Sequence, residues 1–246
     1  MSLREIEKTF NTTRQTVSRF LEERGIKTQK GNHYRKYFHN ENFFETIDSE
    51  EKAYWLGFMY ADGWILDNSQ RYGQDHFGIS LIKSDEEHLK KFAKAIEATN
   101  PITYDNSKRQ HPLAKIVLTS QKTVDDLIRH GCFKKKTFIL QPPTTVPDEL
   151  IYHFIRGFFD GDGSLVKCGG KFFEKYHRYE YSIAFSCMQS IAYWLQELFG
   201  YGSVIQDKRT EHSFTYTIGG KNCVYDFYSK VYKNATIYLD RKYEKF

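Results

Sequence analysis

Two short stretches of this chain have one shape: "WLGFMYADG" over residues 55–63 and "IRGFFDGDG" over residues 155–163. Each is an apolar run with a glycine inside it, a small residue four positions on, and Asp-Gly at its end. The copies do not stand alone. Asp62 and Asp162 lie 100 residues apart, "GISLI" from Gly78 matches "SIAFS" from Ser182 at a spacing of 104, and "IVLTSQKTVDDLI" from Ile116 resembles "TYTIGGKNCVYDFY" from Thr215 at 99. Self-similarity at a fixed spacing marks one structural unit used twice. Hydrophobic periodicity gives each unit the order αββαββα: the motif helix, two β-rich segments, a helix (85–97; 189–198), two more β-rich segments and a last helix (122–130; 221–232). The stretch "QPPTTVPDEL", with three of the five prolines, separates the copies. The expected units are 46–140 and 141–246.

Four residues apart on a helix, Gly57 with Ala61 and Gly157 with Gly161 each form a strip almost free of side chains. Two such strips allow helices to approach more closely than the usual interaxial distance of about 8–10 Å. Their C-terminal ends would then set Asp62 beside Asp162, giving one site from two copies. Simple packing is the bland reading of such glycines, and a turn is the bland reading of Asp-Gly. Repetition at the same place in both units is what favours a site. A carboxylate at a helix C-terminus meets the partial negative charge of the last carbonyls. A divalent cation relieves this, so the carboxylates of Asp62 and Asp162 with the carbonyls of Ala61 and Gly161 form a hard-oxygen set suited to Mg²⁺ or Mn²⁺. Gly63 and Gly163 are expected to close the helices with positive φ. An EF-hand starting at Asp160 is excluded, because Leu165 stands where its glycine belongs and Lys171 where its glutamate belongs. Spacing alone leaves a glycosidase carboxylate pair open.

With 246 residues and 40% hydrophobic content the chain can bury a core. Its apolar runs fall short of the roughly 20 residues a spanning helix needs, so no membrane partner and an intracellular location are expected. Cys132, Cys168, Cys187 and Cys223 form no CxxC pair and read as reduced thiols. A net charge of +5 and 17% aromatic residues lean weakly toward nucleic acid.

Residues 2–26 read as two short helices with a turn at 10–12: a helix-turn-helix pattern or, alternatively, a helical hairpin for protein contact. Leu3, Ile6, Phe10, Val17, Phe20 and Leu21 are its apolar positions, and Thr12 or Thr13 can cap the second helix. That helix would present Arg14, Gln15, Ser18 and Arg19, types suited to bases and phosphates in a major groove. The tract "KTQKGNHYRKYFHN" has four Lys and Arg and no acid, which fits either a phosphate-tracking linker or a solvated connection. Module and linker are assigned to residues 1–45.

The paired motifs resemble the two signature motifs of a single-chain LAGLIDADG homing endonuclease. The second copy is close; the first is looser, with Tyr60 where the family often has Asp. The resemblance covers residues 46–246. It implies an α+β fold in which two pseudo-twofold-related αββαββα units form a DNA-binding saddle, with a small helical module before it. It implies a monomer that hydrolyses phosphodiester bonds of double-stranded DNA at a long asymmetric site, leaving short 3′ overhangs. The metal-holding acid is the one before the final glycine, here Asp62 and Asp162. The family places a basic residue near each scissile phosphate, which points to Lys136 and Lys242 by their Lys-Thr and Lys-Tyr contexts after a helix end. Strand-borne side chains in "NSKRQHPLAKIVLTS" and "SVIQDKRTEHSFTYTIGG" would contact DNA, with Lys108, Arg109, Lys115, Lys208 and Arg209 the basic candidates. Some relatives bind DNA without cutting it, and others are RNA-splicing maturases; retention of both acids favours the nuclease.

Overall fold

In the computed structural model, residues 6, 9–25, 36–67, 74–105, 112–134, 139–168, 180–208, 210 and 212–246 are described. The chain divides into two compact units, 1–37 and 38–246. In the first, helix α1 (Arg14–Glu22) starts at Thr13, whose hydroxyl accepts from the Thr16 amide. Val17 is buried, whereas Phe20, expected to be apolar and packed, is 51% exposed with the Arg24 guanidinium 3.5 Å above its ring.

The larger unit begins before residue 46, because Phe43 and Phe44 are buried in its core and the Asn40 amide donates to Ile96 O. Its first half runs α2 (Glu50–Ala61), β1 (Gly63–Leu66), β2 (His76–Ile82), α3 (Glu86–Ala95), β3 (Thr103–Asp105), β4 (Leu113–Thr119) and α4 (Gln121–Arg129). The second half repeats the order with α5 (Ile151–Asp162), β5 (Gly163–Cys168), β6 (Glu180–Cys187), α6 (Gln189–Phe199), β7 (Ser203–Gln206), β8 (Phe214–Gly219) and α7 (Lys221–Val231); the short α8 (Asp240–Tyr243) follows. Each half contributes one antiparallel sheet, ordered β1-β2-β4-β3 and β5-β6-β8-β7. Duplication at the level of sequence is thus duplication of topology.

Alternation in the strands decides which face is buried. Phe77, Ile79 and Leu81 of β2 and Ala114, Ile116 and Leu118 of β4 face the helices. Ile183, Phe185, Tyr216 and Ile218 do the same in the second sheet. Helix ends are set locally: Ser49 and Ser120 cap α2 and α4 through the amides of Lys52 and Thr123, and α6 stops at Gly200 with φ +74°.

The opposite sheet faces carry few of the expected basic residues among the described residues. In the first sheet Trp64, His76, Ser80, Lys115, Val117 and Thr119 share a face by register, and Lys115 is its lysine among the described strand residues. The second presents Ser164, Ser182, Ala184, Thr215 and Thr217. Lys208 is exposed in the connection from β7 to β8, so that charge belongs to a turn. Lys108, Arg109 and Arg209 lie outside the described residues.

No described helix is long and apolar enough to cross a membrane.

Candidate active site

Helices α2 and α5 meet along their small-residue strips. A Cβ added to Gly57 would stand 1.9 Å from Phe154 O, and one added to Gly157 would stand 1.9 Å from Tyr54 O. Each glycine therefore touches the other helix's backbone, with no room for a side chain between them. One turn further, a Cβ on Gly161 would be 2.1 Å from Ala61 Cβ and 3.4 Å from Asp62 Oδ2. The Asp62 carboxylate thus reaches across to the end of α5, where Asp162 is the last helical residue. Asp62 is half-buried and Asp162 exposed.

The turn after each motif differs from expectation. Gly163 has φ −82° and ψ 162°, and Gly63 is not among the described glycines with positive φ. Both backbones are extended, as the immediate start of β1 and β5 requires. Glycine is needed there for space: a Cβ would strike Met59 at 2.6 Å from Gly63 and the Phe159 ring at 2.1 Å from Gly163.

The basic candidate of the second half is close to the site. Lys242 is 4% exposed, and its ammonium donates to Phe159 O at 2.6 Å, to Gly161 O at 3.1 Å and to Gly163 O. It therefore caps the C-terminal carbonyls of α5, which supplies from within the protein part of the positive charge that the helix end demands. Burial pulls its pKa down to about 8, while Asp160, Asp62 and Asp162 pull it back up. Lys136 lies outside the described residues. Lys134 nearby bridges buried Asp75 at 2.6 Å and Asp67 at 3.4 Å, closing the base of the β1–β2 hairpin.

Asp160, the motif's other acid, is fully buried and turned away from the helix end. It accepts from Tyr54 Oη at 2.8 Å, from the Leu239 amide at 2.7 Å and from Tyr232 Oη. Burial raises its pKa, while the three donors work in the opposite direction. The single Tyr54 proton goes to Asp160, so His88 Nε2–H must donate to the Tyr54 oxygen at 2.9 Å. His88 Nδ1 then carries the bare lone pair, and among the described residues it has no partner. Burial holds this imidazole down at a pKa of about 3.

The sequence does not assign a role to Arg156, His88 or Tyr232, and it names Asp160 without its buried partners. The signal it had was Arg156 inside an apolar helix: at 1% exposure the guanidinium donates to Val231 O, Ile237 O and Glu50.

A cavity of about 490 Å³ opens beside Asp162, lined among others by Ala61, Phe158, Ser186, Cys187 and His212. Burial and the charge of Asp162 push the Cys187 thiol up to about 12, so it is a protonated wall and not a ligand. No group of three or more His, Cys, Asp and Glu side chains that could hold a metal exists among the described residues. The oxygens at this seam that could hold a metal are those of Asp62, Asp162 and the backbone. Those hard oxygens fit Mg²⁺ or Mn²⁺, with water or substrate oxygen completing the shell.

No family model matches the sequence, and no curated protein matches it. Solved structures do. The LAGLIDADG meganuclease I-AabMI bound to uncleaved DNA superposes with a TM-score of 0.55 at 12% identity, covering 79% of this chain and 87% of that one. The meganuclease I-SmaMI bound to uncleaveable DNA gives 0.54 at 10% identity over 76% and 87%. The I-LtrWI LAGLIDADG homing endonuclease bound to target DNA gives 0.52 at 10% identity over 80% and 86%. With the motif helices paired and two αββαββα halves in sequence, the chain has the fold of the single-chain LAGLIDADG homing endonucleases.

Proposed function

We propose that this protein is a site-specific endonuclease of double-stranded DNA, acting as a monomer on a long asymmetric target. The observation that carries the reading is the joint end of α2 and α5, where Asp62 Oδ2 reaches over Gly161 toward the helix that ends in Asp162. Two carboxylates from two halves at one seam suit a reaction on both strands of a duplex. DNA-bound neighbours of the same fold support the choice of substrate.

Asp62 and Asp162, with the carbonyl of Ala61, would hold the divalent cation, because the Gly161 carbonyl expected beside them already accepts from the Lys242 ammonium. When bound, Mg²⁺ or Mn²⁺ supplies positive charge that stabilises the attacked phosphate and the departing 3′ oxygen. Lys242 brings a fixed charge to the same place, preorganised by three carbonyls before substrate arrives. Its donation to three carbonyls is that of the charged ammonium, although burial lowers its pKa to about 8. Lys136 is the counterpart in the first half. Lys115 and Lys208, with Lys108, Arg109 and Arg209, would contact DNA. The module at the N-terminus would extend the footprint as a helix-turn-helix, using Arg14, Gln15, Ser18 and Arg19 of α1.

The test is cleavage of a plasmid library of randomised targets with and without Mg²⁺. Linearised plasmid with short 3′ overhangs, formed only with the metal, is expected. Retention of target DNA without any cut in Mg²⁺ or Mn²⁺ would make the protein a DNA-binding regulator.

A further inference from the structure

The segment that carries Lys242 belongs to the second half in sequence, yet charged side chains of the first half hold it. After α7 the chain turns back across the seam. Glu50, the first residue of α2, accepts from the Thr236 amide at 2.9 Å and from Arg156 at 2.6 Å. Lys91 of α3 donates to Tyr238 O at 3.1 Å and to Asp240 at 2.7 Å. Asp85, with its side chain 6% exposed, accepts from Arg241 Nε at 2.7 Å. Between these contacts the Asp160 carboxylate of α5, which also accepts from Tyr54 of α2, accepts from the Leu239 amide. Residues 236–241 are thus strapped on both sides, and the next residue is Lys242.

The hydrogen bonds of the Lys242 ammonium to the described residues go to second-half carbonyls, those of Phe159, Gly161 and Gly163. The backbone that carries this side chain sets where the ammonium can reach, and the strap fixes that backbone on both sides of residue 239. We propose that Asp85 and Lys91, far from the motif helix ends in sequence, are positioning residues for Lys242: the first half of the protein sets the rate at which the second half's lysine assists cutting of its strand. This rests on the endonuclease reading. In a shared-carboxylate site it predicts that loosening the strap slows one strand and spares the other, which loss of general stability cannot do.

The experiment uses the full chain on its selected target, end-labelled on each strand, in single turnover at saturating enzyme with Mg²⁺. Lys242→Met first identifies which strand depends on that lysine. Lys91→Met and Asp85→Asn, separately and together, are then expected to slow that strand about tenfold in the double variant while the other stays within twofold. DNA affinity should be unchanged, and Lys91→Arg should restore the rate. Because Lys91 is on the surface, its substitution alone decides the matter if Asp85→Asn proves insoluble. Equal slowing of both strands, or no slowing, would overturn the proposal and leave the nuclease reading intact. No cutting of either strand by the unmodified chain would overturn that reading and the proposal with it.

Discussion

The same place in the two motif helices holds Tyr60 in one half and Asp160 in the other. Tyr60 donates its phenol proton at 2.6 Å to His130 O, at the end of α4. Asp160 accepts from Tyr232 and from the Leu239 amide, just beyond α7. Both side chains tie the motif helix to the segment that follows the last helix of their own unit. Their chemistry is opposite, one donor against three donors received. The duplicated fold has a tether at this position in both halves, made by a buried acid in the second and by a phenol in the first.

The largest effect should come where the halves are indistinguishable. Gly157→Val places side-chain atoms where even a Cβ falls 1.9 Å from Tyr54 O. The helices must separate, at a cost of roughly 3 kcal/mol or more, while the helix-propensity gain over glycine is under about 1 kcal/mol. Urea denaturation should show this loss, and Gly57→Val should match it. A large difference between the two would show that the seam is not symmetric.

At the divergent position the effects should separate. Asp160→Asn puts an amide N–H against donors that now share one carbonyl, costing about 3 kcal/mol, whereas Tyr60→Phe leaves one carbonyl unpaired at about 1–2 kcal/mol. Equal losses would mean the tethers are equivalent in strength as well as in place.

A smaller effect is read from pH. His88 has a folded pKa of about 3 against the ordinary 6.5, so below pH 6.5 the unfolded chain takes up a proton that the folded chain refuses. Stability from this group is present above pH 6.5 and is lost as pH falls toward 3, by at most about 1.4 kcal/mol per unit. Asp160, raised by burial, has the opposite sign: the folded state takes its proton first as pH falls. Replacing His88 by Phe should flatten the slope between pH 6.5 and 5, and Asp160→Asn should remove the opposing slope just above the ordinary carboxylate range. Chemical denaturation across the acid range checks both.

Much of this was legible in the sequence because it was local or repeated. The glycine strips, the helix ends within a residue or two, and the position of both acids follow from spacing alone. The φ of Gly63 and Gly163 was misjudged because a strand starting at once demands extended backbone, and the crowding by Met59 and Phe159 that excludes a side chain is a tertiary fact. The context of Lys242 in the sequence marks it as a basic candidate, but its bonding to three carbonyls depends on a chain reversal some 80 residues from the motif. The roles of Asp85, Lys91 and Glu50 had no signature at all, since exposed-looking charges in polar stretches read the same whether they face water or a strap.

The shared site is tested most directly by Asp62→Asn and Asp162→Asn, compared on the selected target with each strand labelled. If the two carboxylates serve one site, each variant loses double-strand cleavage by at least about a thousandfold, on the scale of about 4 kcal/mol of lost transition-state stabilisation, while DNA affinity stays within a few-fold. Full-rate cutting by either variant would contradict it.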